Sequence, residues 1–133
     1  MSGPPLPAYV SKRARRGFRG YPVVTVAFYG PDEARATKVV AALVPERGAE
    51  PSRLTRWVVA DGDVRTDVVV VASLVAFIRS ADAPTVVAPE ALLGCPHEEG
   101  TDYPEGGTCP ECPFWAGRDR WAGLLGGEGA RGA

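Results

Sequence analysis

Residues 63–78 read DVRTDVVVVASLVAFI. Four successive valines, Val68 to Val71, have high β-propensity. Yet Val64, Val68, Val71, Val75 and Ile78 recur at intervals of four, three, four and three, which is one face of a helix, and Leu74 widens the stripe. Asp63 stands where a helix N-cap is needed, and Pro84 closes the segment. The apolar run from Val68 to Ile78 is 11 residues long and is interrupted by Ser73. A membrane span needs about 20 apolar residues, so this run is expected as a helix packed on a sheet.

The flanking segments supply that sheet. Residues 23–29 (VVTVAFY) are β-branched and aromatic, Gly30-Pro31-Asp32 signals a turn, and residues 36–44 (ATKVVAALV) resume an apolar run. These two runs are expected to form an antiparallel hairpin. Residues 54–60 (LTRWVVA) read as a third strand and residues 85–88 (TVVA) as a short fourth. The expected class is α+β: a mixed sheet in β-β-β-α-β order with one packed helix and a C-terminal zinc-bound loop. That order is similar to the way ribonuclease-H-like folds begin. The similarity is one of topology alone, because 23–29 contains no acid and the helix offers only Asp67 near its start.

At 133 residues and 14.0 kDa, the chain has room for one domain. Sixteen Gly and 13 Pro crowd its two ends. Residues 1–20 read as a basic flexible arm, 21–125 as a single domain that includes a zinc loop at 95–112, and 126–133 as a flexible tail. No apolar signal segment is visible near Met1, and the cysteine usage fits a reducing, cytoplasmic setting.

The strongest chemical signal is Cys95-Pro-His97 followed by Cys109-Pro-Glu-Cys112. Zinc takes four N or S ligands in a tetrahedron, and two short knuckles assemble one with little strain. The expected ligands are Cys95, His97, Cys109 and Cys112. The Cys-Pro-Glu-Cys-Pro half resembles the knuckle of zinc ribbons. Three thiolates and an imidazole leave no open position, so the Zn²⁺ is expected to be structural. The pairing of His97-Glu98-Glu99 with Cys109-x-x-Cys112 also fits the zinc-deaminase motif superficially. The Gly-rich segment between them is too short to cross a sheet as that fold requires.

Charge is unevenly spread. The net charge is −1, yet Lys12, Arg13, Arg15, Arg16 and Arg19 gather five cations within eight residues. The rest of the chain carries ten basic and 16 acidic side chains, a net of −6. The arm, with Phe18 and Tyr21 beside it, is the expected contact for RNA or DNA through counterion release. Phe114, Trp115 and Trp121, with Arg118 and Arg120 between them, read first as anchors packing the zinc loop on the sheet.

Two functional classes fit these features. The first is a small zinc-stabilised binding module that contacts nucleic acid or a nucleoprotein partner through the arm. The second is a metal-dependent hydrolase or nuclease that uses acids near the zinc loop, drawn from Asp61, Asp63, Glu98, Glu99 and Asp102. With His97 bound to zinc no imidazole remains for a triad, and no phosphate-binding Gly-rich loop is present. The closed zinc ligand set favours the binding module. The sequence leaves the oligomeric state open.

Overall fold

A computed structural model describes residues 4–97 and residue 114. The elements run α1 (Ala8–Ala14), β1 (Val23–Tyr29), β2 (Lys38–Val44), β3 (Arg53–Val58), α2 (Val68–Ala81) and β4 (Thr85–Val87). One four-stranded mixed sheet has the spatial order β3-β2-β1-β4. β1 and β2 pair antiparallel, from Val23 opposite Val44 to Tyr29 opposite Lys38. β3 adds antiparallel to β2, and β4 lies parallel to β1 with Val24 opposite Val86. The parallel pair requires a crossover, and α2 provides it.

The α+β class and the mixed sheet are as the sequence leads one to expect. The arrangement differs in two ways. The spatial order is not the chain order, and a second helix precedes β1. The zinc-bound loop expected beyond His97 lies outside the described residues, as do the division at residue 125 and the tail 126–133.

Strand alternation puts Val24, Val26 and Phe28 of β1 and Val39 and Ala41 of β2 on one face, all fully buried. α2 covers that face with Val70, Leu74, Phe77 and Ile78. The helix is present, and Leu74 and Ile78 of the expected stripe are buried, as is Val64 before it, but Val68, Val71 and Val75 do not form the buried side. Val68 is 81% exposed, while Val71 and Val75 are only partly buried. At about 100° per residue, the observed face is turned roughly a quarter of a revolution from the expected one. The larger side chains Leu74 and Phe77 bury more apolar area than valines do, and they set the rotation. Trp57 of β3 meets Phe77 edge-to-face at 6.4 Å.

The helix also starts later than the apolar pattern suggests. Asp67, not Asp63, is the N-cap, and its carboxylate accepts from the Val70 amide at 3.0 Å. Asp63 is committed elsewhere. One of its oxygens accepts from the Ala36 amide, and the carboxylate pairs with Arg65 at 2.7 Å, both side chains being nearly inaccessible. The Arg65 guanidinium also donates to the Ala34 carbonyl, so the pair clamps the turn after β3 onto the loop before β2. That loop begins at Gly30, where a Cβ would overlap the Arg35 carbonyl oxygen, so only glycine fits.

The largest departure concerns the arm. Pro4, Pro5, Pro7, Gly17 and Gly20 predict an extended tail, yet Ala8–Ala14 is helical and Val10 is fully buried. Leu6 and Val10 belong to the same core cluster as Ile78, Ala83 and Val86. A seven-residue helix is marginal alone and is held here by tertiary contacts. The Arg13 guanidinium donates to the Ala83 carbonyl at 2.6 Å. The Thr85 hydroxyl accepts from the Arg19 amide at 2.8 Å and donates to the Gly20 carbonyl at 2.7 Å. Gly17, at φ +76°, lets the chain turn from the helix towards those contacts. Among the described residues, no helix is long and apolar enough to cross a membrane.

Candidate nucleic-acid interface and metal knuckle

α1, the end of α2 and the start of β4 enclose an open cleft of about 510 Å³. Its lining includes Arg13, Arg16, Arg19 and Arg79, with Tyr9 and one carboxylate, Asp82. The chain reaches this geometry because α1 runs beside β4 and its first turn, at Tyr9, meets Arg79 from the last turn of α2. Arg79 lies over the Tyr9 ring at 5.2 Å, and Arg13 donates to the Tyr9 hydroxyl at 3.3 Å. Burial alone would raise the Tyr9 phenol pKa, but hydrogen bonds and charge from Arg13 and Arg79 outweigh it and hold it below its ordinary value. One further donor, Arg13 Nε, is buried without a partner.

The five cations expected to bind polyanions therefore divide. Arg13, Arg16 and Arg19 line the cleft, with Arg13 partly spent on holding α1 in place. Lys12 and Arg15 are exposed, and Arg15 donates to the Ser11 hydroxyl at 2.9 Å. Tyr9, an aromatic residue interspersed with the arginines of the arm, and Arg79, which the sequence leaves outside the basic cluster, also belong to the cleft. Nothing in the sequence links Arg79 to the arm, because the link is the packing of α1 beside β4.

Phe18 and Tyr21 border the same region. Their ring centroids are 5.4 Å apart at an interplanar angle of 69°, an edge-to-face pair. Phe18 is 67% exposed and Tyr21 41%.

Cys95 and His97 lie at the other end of β1. The Leu93 amide donates to the Phe28 carbonyl, and the Gly30 amide donates to the Gly94 carbonyl, both at 2.9 Å. Buried Leu92 and Leu93 anchor this segment. Lys38 Nζ donates to the Pro96 carbonyl at 3.0 Å. Cys95 Sγ is 3.3 Å from His97 Nδ1 and accepts from the His97 backbone amide at 3.2 Å. With Zn–S near 2.3 Å and Zn–N near 2.05 Å, a tetrahedral S···N edge is about 3.5 Å, so these two donors fit one edge of a zinc tetrahedron. Cys109 and Cys112 lie outside the described residues. Within the described residues, no group of three or more His, Cys, Asp or Glu side chains gathers to hold a metal.

The acids of the hydrolase reading are not brought together where the structure describes them. Asp63 is bound to Arg65 and two backbone amides, and Asp61 is exposed. Burial would raise the Asp63 pKa, but the Arg65 hydrogen bond, the Ala36 and Arg65 amides and the Arg65 charge hold it below its ordinary value. Glu98, Glu99 and Asp102 lie outside the described residues, as do Trp115, Arg118, Arg120 and Trp121.

No known protein family, curated protein or solved structure matches the chain.

Proposed function

We propose that the chain is a small zinc-stabilised binding module that grips nucleic acid through its basic segment. The observation that carries this reading is the convergence of Arg13, Arg16, Arg19 and Arg79 on one open cleft. Four guanidiniums around a single cleft repel one another, and a phosphate backbone relieves that repulsion while releasing its own counterions. Guanidinium forks also match phosphate oxygens in geometry. The net −6 of the remaining chain would repel a polyanion, which confines binding to this surface.

Zinc, held by Cys95, His97, Cys109 and Cys112, takes a structural part in this reading. Cys95 follows the backbone contacts at the Phe28–Gly30 end of β1, whereas Arg19 precedes its Val23 end. A seven-residue strand at about 3.3 Å per residue keeps the two sites roughly 20 Å apart. The metal then orders the segment after β4 and does not touch the bound chain.

The test is fluorescence anisotropy of the full chain with a labelled oligonucleotide across a salt series. Arg16→Glu with Arg19→Glu should weaken binding and flatten the log–log salt slope by about 1.4, at roughly 0.7 per phosphate contact on a single strand. Both side chains are exposed, so circular dichroism should be unchanged. Equal affinity and slope in the double variant would overturn the proposal.

A further inference from the structure

We infer that the ligand is specifically a single strand, RNA or DNA, with an unpaired base stacked on the Phe18–Tyr21 pair while its phosphates lie on Arg16, Arg19 and Arg79. This rests on the cationic reading above but is carried by a different observation. Phe18 and Tyr21 are large aromatic side chains left exposed on both sides of cleft-lining Arg19. They are not on a loose tail. The backbone between them is fastened at the Arg19 amide and the Gly20 carbonyl to the hydroxyl of Thr85, a residue 1% exposed.

Their edge-to-face contact points one ring's rim at the other's face. Phe18, 67% exposed, is the more open of the two rings and offers surface to a third aromatic group. A base in a duplex already has neighbours on both faces, so the interior of a duplex offers nothing to stack. A single strand offers every base, and stacking on an aromatic platform tolerates any sequence. Phe18 and the cleft-lining Arg19 are adjacent residues, so a stacked base and a phosphate of the same strand would meet neighbouring side chains. The inference therefore separates two contributions, charge from the cleft and stacking from the pair.

The experiment measures affinity of the full chain for oligo-U, oligo-dT, a duplex of equal phosphate number, and heparin, which has charge but no bases. Both single strands should bind more tightly than duplex or heparin. Phe18→Ala and Phe18→Leu should each weaken single-strand binding roughly five- to a hundredfold, the range of one lost stacking contact, and leave heparin binding unchanged. Phe18→Trp should restore it. If duplex and heparin bind as well as single strands, and Phe18→Leu binds as wild type, stacking is refuted while the cationic reading stands. If none of the four probes binds at low salt, the cationic reading itself fails. Circular dichroism of each variant guards against unfolding, and because Phe18 is two-thirds exposed the fold should hold.

Discussion

The Arg79 guanidinium lies 5.2 Å from the centre of the Tyr9 ring, joining the last turn of α2 to the first turn of α1. A residue outside the basic cluster thus completes the cationic surface. Arg79→Ala should weaken oligonucleotide binding and remove about 0.7 from the salt slope, as one lost phosphate contact would. Arg79→Lys should keep most of the slope while losing the planar stack on Tyr9. A slope unchanged in Arg79→Ala would exclude Arg79 from the binding surface.

Thr85→Val tests how the segment before β1 is fastened. The substitution keeps shape and removes the hydroxyl, leaving the Arg19 amide and the Gly20 carbonyl without their partner. The expected cost is about 1–3 kcal/mol in chemical denaturation. Amide exchange should accelerate at Arg19 and stay slow in β1, where Val24 and Val26 are fully buried. Slow exchange at Arg19 in the variant would show that the hydroxyl does not hold the segment.

Asp63→Asn tests the buried ion pair. Removing one partner leaves Arg65 charged and nearly inaccessible, at a cost of about 3–5 kcal/mol at pH 7. The Asp63 pKa is depressed in the folded state. Its stabilisation is therefore complete above the unfolded carboxylate pKa of about 3.9 and disappears as pH falls through the folded value. The stability gap between wild type and variant should be wide at neutral pH and narrow below about pH 4. A gap that does not change with pH would contradict the ionised pair.

Metal analysis tests the knuckle. Freshly reduced protein should carry one zinc per chain, and Cys95→Ser or Cys109→Ser should lower that content and increase proteolytic cleavage after residue 97. The variants should still bind oligonucleotides with the wild-type salt slope, since the two segments lie towards opposite ends of β1. Reduced wild-type protein without bound metal would refute the zinc site.

Much of the fold was legible because strands of this composition announce themselves locally. Residues 23–29 form a strand end to end, and the other three begin or end within two residues of the expected limits. The rotation of α2 was less legible. Valine periodicity marked a face of which Leu74 and Ile78 are buried, but Val70 and Phe77 turn the contact away from Val68. The arm was misread for a related reason. Pro and Gly describe local stiffness and freedom, whereas α1 is held by Val10 and by Arg13 bonded to a carbonyl 70 residues away. The arginines were visible as a run of charge, but the cleft was not, since Tyr9 and Arg79 join it only through packing. Of the four expected metal ligands only Cys95 and His97 fall within the described residues, where Sγ and Nδ1 lie 3.3 Å apart, and the Cys-x-His spacing is what brings them to notice in the sequence.

The closure of α1 on Ala83 and Thr85 also bears on synthesis. A chain leaving the ribosome exposes its arginines early, at residues 12–19, while their partners on α2 and β4 are still unmade. Until about residue 87 has emerged, Leu6 and Val10 have no core to join and Arg79 cannot reach Tyr9. The growing chain is then a string of cations beside ribosomal RNA, free to make loose, salt-sensitive contacts. Once β4 pairs with β1, Arg13, Arg16 and Arg19 are drawn around one cleft, and Lys12 and Arg15 stay outside it. The same charges are thus first strung along an open chain and then partly fixed around a shaped surface.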